Sequence, residues 1–168
     1  MPEIRLSSKD ARFRLRVDAH HVERILALCT AAGDQETGGV LIGRYNARHD
    51  TALVTDLPPP PADSTRGRTW FQRGTEGVQR MLERAWGLRK EYYLGDWHFH
   101  PFSPPNPSAD DYDQMLRIAS SPNWKCPEPV LLIIGGDPHR QWRPYGLVTT
   151  RRGERFSLIP DEGYSHQP

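Results

Sequence analysis

Cysteine is scarce in this 168-residue chain: Cys29 and Cys126 stand alone, with no Cys-x-x-Cys spacing. No disulfide is expected, and no cysteine-centred motif surrounds Cys126 in its loop, PNWKCPEP. Lysine is nearly as scarce, at three against nineteen arginines. Cationic contacts will therefore be mostly planar and bidentate. A dominant charge is missing too: 22 basic and 21 acidic residues leave a formal net charge of +1. Charge alone thus points neither to nucleic acid nor to an acidic surface as partner. No apolar run approaches the roughly 20 residues of a membrane span. The opening MPEIRLSSKDARFRLRV has no apolar centre, so the expectation is no signal peptide and a cytoplasmic location.

What remains is ordinary globular composition, 36% hydrophobic and 26% charged. A chain of this length forms one domain and buries roughly 70% of its unfolded surface. The expected unit is 1–168, with a core over 10–159 and a polar tail, PDEGYSHQP, over 160–168. Arg12 to Val17 alternates cations with Phe13, Leu15 and Val17, the period of a strand. Asp18 can cap a helix carrying Val22, Ile25, Leu26 and Cys29, and Gly33 ends it. His20 and His21 lack the HExxH spacing and read as that helix's start. An apolar, glycine-flanked strand runs from Glu36 to Gly43, and TALVTDL follows it. PPPPADSTRGRT is a polar loop, with a short strand from Trp70 and Phe71 after it. A second helix spans GTEGVQRMLERAWGLRK, with Val78, Met81, Leu82, Trp86 and Leu88 as apolar positions. EYYLGDWHFH reads as a strand that enters the proline-rich loop PFSPPNP. SADDYDQMLRIASS is a third helix, and PVLLIIGG is a strand buried on both faces. QWRPYGLVTTRR and RFSLI complete a mixed α/β domain with helices against a central sheet.

One stretch carries the chemistry: His98-Phe99-His100-Pro101, then Ser108 and Asp111. The seven histidines give about 0.3 His-x-His triplets by chance. Requiring Pro101, Ser108 and Asp111 at their offsets lowers that expectation to about 0.0001. On a strand, His98 and His100 project to one face while Phe99 packs on the other. The proline-rich loop then brings the first turn of the next helix, with Asp111, back toward them. Two imidazoles and one carboxylate suit Zn²⁺ and leave a fourth position for water, as in catalytic sites. Zinc brings such water's pKa toward about 7. Glu36, one of nine glutamates, is the positional candidate for the general base. Asp96, on the same strand face, is a candidate partner orienting an imidazole. Simpler readings stand beside these. Ser108 can be only a helix N-cap and Asp111 a first-turn acid. The histidines can be sheet residues, and Glu36 a solvated strand-entry residue.

These residues together resemble the JAMM (JAB/MPN/Mov34) zinc metalloproteases. The family pattern is an upstream Glu, His-x-His-Pro, then Ser-x-x-Asp, met here by Glu36, His98-Phe99-His100-Pro101, Ser108 and Asp111. The resemblance covers roughly residues 10–150, and the loop PADSTRGRTWFQR followed by a helix looks most like the bacterial JAB branch. It implies a cytidine-deaminase-like α/β/α sandwich with a mixed central sheet. It implies one catalytic zinc on His98, His100 and Asp111, Glu36 as base, and Ser108 as oxyanion donor. Family members cut peptide or isopeptide bonds after the C-terminal glycine of ubiquitin or a ubiquitin-like protein. The implied function is therefore deconjugation or precursor processing of a ubiquitin-like protein. The implied setting is a bacterial pathway with E1- and E2-like partners, in some relatives antiphage defence, with no nucleic acid and no membrane. A peptidase for a small β-grasp sulfur carrier is the alternative, and a noncatalytic zinc-binding scaffold a second. Arg66, Arg68 and Arg73 are candidate contacts for the substrate tail or braces of their own loop.

Overall fold

The computed structural model describes residues 2–163. Of the tail expected over 160–168, residues 164–168 lie outside the described residues. In chain order the elements are β1 (Ile4–Ser8), β2 (Arg14–Val17), α1 (Ala19–Ala32), β3 (Thr37–Tyr45) and β4 (Thr51–Asp56). A small hairpin, β5 (Thr65–Arg66) and β6 (Phe71–Gln72), precedes α2 (Val78–Arg89). Then come β7 (Tyr92–Pro101), α3 (Ala109–Ser120), β8 (Val130–Gly136), β9 (Trp142–Thr149) and β10 (Arg155–Pro160). Local chemistry sets the helix ends. The Asp18 side chain accepts from the His21 amide at the start of α1, and Gly33 closes it at φ 67°. That backbone conformation carries no Cβ penalty at glycine.

Eight strands pair in the order β1-β10-β9-β8-β7-β3-β4-β2, and β2 returns to β1. The ladders are antiparallel except β2–β4 and β7–β8. The expected mixed α/β domain is present, but the sheet is a closed barrel and not the open layer of an α/β/α sandwich. The closure has a packing cause. One face of every strand feeds a single cluster, which includes Leu6, Leu15, Leu41, Ala52, Trp97, Leu132, Val148 and Leu158. Val22, Ile25 and Cys29 of α1 belong to the same cluster. A twisted sheet that curls around one apolar centre brings its two edges within pairing distance. The outer faces of β3, β7, β8 and β9 feed a second cluster with Val78 and Ala85 of α2 and Met115 and Ile118 of α3. β8 is thus buried on both faces, Leu132 and Ile134 to one side and Leu131 and Ile133 to the other.

β7 lies between β3 and β8 and contains one irregularity that aims the site. Leu41 pairs with Gly95 and Ile42 with Tyr93, so Leu94 is an extra residue against β3. A bulge shifts the side-chain phase. Leu94, Trp97 and Phe99 consequently all enter the first cluster. His98 and His100 therefore face outward, toward α3. Gly95 makes this possible at φ 153°, since a Cβ there would run into the Val130 carbonyl. Among the described residues no helix is long and apolar enough to cross a membrane.

Candidate metal centre

The β3–β7 register places Gly38 opposite His98 and Thr37 opposite Phe99. Extending it by one residue sets Glu36 beside His100, and Glu36 Oε1 lies 3.9 Å from His100 Nε2. Asp111 arrives from the first turn of α3. Its Oδ1 is 3.0 Å from His98 Nδ1 and its Oδ2 is 3.8 Å from His100 Nε2. The turn is held by a reciprocal cap: the Asp111 amide donates to Ser108 Oγ (3.1 Å), and the Ser108 amide donates to Asp111 Oδ2 (2.8 Å). Ser108 is therefore an N-cap, as its local sequence suggested. The bond uses an oxygen lone pair and leaves the hydroxyl proton free to donate elsewhere.

All five expected site residues thus converge at one end of the barrel, and Glu36, His98, His100 and Asp111 are buried there. His98, His100 and Asp111 each present a ligand atom within 4.8 Å of the others. Ligands about 2.0–2.1 Å from one tetrahedral ion lie about 3.3 Å apart. The 3.8 Å between His100 Nε2 and Asp111 Oδ2 is near that value, while the 3.0 Å contact of His98 Nδ1 with Asp111 Oδ1 is a hydrogen bond that leaves Nε2 as the free ring nitrogen. His98 Nε2 is buried with no hydrogen-bond partner among the described residues. An orphaned ring nitrogen in a dry site is costly, and it marks a centre not satisfied by protein groups alone. Two imidazoles and a carboxylate fit a divalent transition metal better than Mg²⁺ or Ca²⁺, which take oxygen donors.

The electrostatics agree. Burial holds the His100 pKa below that of free imidazole, which keeps the ring neutral and able to ligate. Burial alone would raise the Asp111 carboxyl, but the His98 ring and the Ser108 amide outweigh it and hold it low. Burial pushes the Glu36 carboxyl up to about 7, against the opposing pull of His98 and with a further push from Asp111. A carboxylate in that range can both accept and return a proton near neutral pH.

One expectation is corrected, and of the two readings of Arg73 the bracing one fits. Asp96 does share the histidine face, but it orients no imidazole. It accepts from Arg73 Nε (2.9 Å), Tyr93 Oη (2.8 Å) and Gln114 Nε2 (3.5 Å). The Pro104 backbone near the His100 ring weakly favours its protonated form, against the larger effect of burial. Proline offers only a carbonyl there. Arg73 is a brace and no docking group, since its side chain is only 3% exposed. Arg68 pairs with Asp34 at the surface, 3.1 Å away. Sequence reasoning also missed two supports from the loop after β4. The Gly67 carbonyl accepts from the Glu36 amide (2.8 Å). The Phe71 ring meets His98 edge-on at 5.4 Å. Neither contact has a spacing signal, because both join segments through space.

A family model described as prokaryotic homologs of the JAB domain matches residues 18–145. The chain is 42% identical over 151 residues to a CD-NTase/cGAS isopeptidase of Enterobacter hormaechei subsp. hoffmannii, covering 89% of this chain and 82% of that protein. It is 30% identical over 143 residues to the probable metalloprotease y4qB of Sinorhizobium fredii, covering 82% and 86%. The solution structure of protein DSY2949 from Desulfitobacterium hafniense superposes with a TM-score of 0.56 at 24% identity, over 88% of each chain. That likeness bears on the fold alone.

Proposed function

The chain belongs to the prokaryotic JAB-domain family and is an isopeptidase of the metalloprotease type; on that footing we propose that it hydrolyses the amide bond joining a protein's C-terminal tail to its target, with one zinc ion on His98, His100 and Asp111. The observation that carries this reading is the convergence of the three ligands within 4.8 Å, with the Glu36 carboxylate 3.9 Å from His100. When bound, zinc supplies Lewis acidity: it acidifies water and polarises a carbonyl. Glu36 takes a proton from the attacking water, whose oxygen adds to the scissile carbonyl carbon. The Ser108 hydroxyl donates to the oxygen that becomes negative. Glu36 then delivers its proton to the leaving nitrogen, the C–N bond breaks, and a carboxylic acid and a free amine leave. The raised pKa of Glu36 suits both halves of this transfer.

Relatives in four species carry the name CD-NTase/cGAS isopeptidase. The proposed substrate is accordingly a CD-NTase conjugate in a cytoplasmic antiphage pathway, joined by E1- and E2-like enzymes of the ubiquitin-like kind. A noncatalytic scaffold is disfavoured because a structural site does not need the buried Glu36 carboxyl, which burial pushes up to about 7. The test uses a CD-NTase bearing green fluorescent protein at its C-terminus. Glu36→Gln should keep one equivalent of zinc and lose about 10²–10⁴-fold in cleavage. His100→Ala should lose the metal. Cleavage at the wild-type rate by Glu36→Gln would overturn the base assignment, and zinc retained by His100→Ala the ligand set.

A further inference from the structure

The segment between β4 and α2 rests on the site, and one buried ion pair holds it there. Arg73 Nε lies 2.9 Å from Asp96 Oδ2, with side-chain exposures of 3% and 0%. Its Nη1 donates to the Gly74 carbonyl (2.9 Å), and its guanidinium stacks over Trp124 at 4.9 Å. Dehydrating two charges costs about as much as their attraction contributes, so such a pair is a poor source of stability. A fixed geometry is what it can supply.

The segment is closed on itself. At its neck, the Gly74 amide donates to Ser64 Oγ (2.9 Å), and the Thr75 and Glu76 amides donate to the Asp63 carboxylate (3.0 and 2.9 Å). Beyond the neck, β5 pairs with β6. This closed unit touches the site twice. Gly67, between the two short strands, accepts from the Glu36 amide at 2.8 Å. Glu36 precedes the first paired residue of β3, so this bond fixes its backbone where the ladder does not. Phe71, two residues before Arg73, packs edge-on against His98.

We infer that the Arg73–Asp96 pair is a latch, whose function is to position Glu36 and His98 by seating the 63–76 unit across the start of β3. Arg73 and Asp96 are positioning residues and touch neither substrate nor metal. The inference rests on the isopeptidase reading for its consequence in catalysis, though not for its structural half. Arg73→Met paired with Asp96→Asn removes both charges, strands neither, and keeps an acceptor for Tyr93. Arg73→Lys keeps the charge and loses the fork.

Two measurements on the full chain decide the matter: hydrogen exchange of the Glu36 amide, and steady-state cleavage of the CD-NTase–green fluorescent protein fusion. In the double variant the Glu36 amide should exchange faster while the β8 amides keep their protection. The kcat should fall about tenfold or more, as for partners that orient ligands, with KM within about twofold. Arg73→Lys should recover part of both. Unchanged exchange at Glu36 overturns the latch. So does equal acceleration at Glu36 and in β8, which would make the pair a matter of global stability. A wild-type protein that fails to cleave the fusion would sink the substrate reading and leave the exchange result to judge the latch.

Discussion

Gly38 shows how little room the site leaves around a ligand. A Cβ at this position would meet the Trp97 carbonyl, with Phe71 Cε1 at 2.8 Å and the His98 Cδ2 at 2.9 Å. Gly38→Ala must therefore shift the β3–β7 ladder or push His98 and Phe71 aside. Overpacking of this kind costs about 1–3 kcal/mol. Displacing a group that orients a ligand costs about 10–100-fold in metal affinity. Thermal unfolding and competition with a zinc chelator would read both, and wild-type affinity in the variant would show that Phe71 does not matter to His98. Cys126 makes the opposite case, a reactive residue type rendered inert. Burial pushes its thiol up to about 12, against the opposing backbone bond from Glu128. The thiolate is the nucleophile, so folded protein should not react with Ellman's reagent at pH 8, and unfolded protein should. Rapid labelling of the folded form would contradict this burial. At this scale the convergence of the five candidate residues was legible because the informative spacing is short or opens a strand. The partners of Asp96 and Glu36 were not, since Arg73 and Gly67 lie 23 and 31 residues away and meet them only through the fold.

In the proposed mechanism α3 joins a structural and a chemical role in one residue. Ser108 caps the helix and would donate to the oxyanion, so Ser108→Ala alone cannot separate the two. Glycine can: at an N-cap it costs only a few tenths of a kcal/mol relative to serine, whereas alanine costs about 1 kcal/mol. Ser108→Gly should thus unfold close to the wild-type temperature and still lose about 10²–10³-fold in kcat. Equal kcat in Ser108→Gly and wild type would reduce Ser108 to a cap. α2 shows where periodic reading fails. Val78, Met81, Leu82, Trp86 and Leu88 were expected to face inward, yet Trp86 is 53% and Leu88 66% exposed. The buried contacts are Val78 and Ala85, seven residues apart on one stripe. Trp86 and Leu88 sit at the margins of that stripe, and a small alanine at its centre gave no sequence signal. β8 read correctly as a strand buried on both faces because its five consecutive apolar residues admit no other pattern.

The closed barrel was the least legible feature, and the reason is topological. Alternation in β1 and β10 marks each as a strand with an inner face, but pairing Leu6 with Pro160 joins residues from opposite ends of the chain. No local pattern encodes which edges meet; the shared cluster around α1 decides it. That cluster and the outer one are complete without the site, whose candidate ligands stand on β7 and α3 at one end of the sheet. The metal should therefore add to a fold that already exists. An ion that binds only the native state stabilises it by about 2.7 kcal/mol at a free concentration 100 times its Kd. For a domain of this size each kcal/mol moves the melting temperature by about 2–4 °C, so chelation should lower it by about 5–11 °C. The far-UV circular dichroism should stay unchanged and unfolding cooperative. Zn²⁺ should restore the shift and Mg²⁺ should not, because the site offers two imidazoles and one carboxylate and Mg²⁺ takes oxygen donors. Loss of the dichroism on chelation would make the metal a condition of folding. An unmoved melting temperature would mean that His98, His100 and Asp111 hold no ion. The predicted pattern, an intact fold with a lowered transition, belongs to a site whose ligands are positioned before the metal arrives.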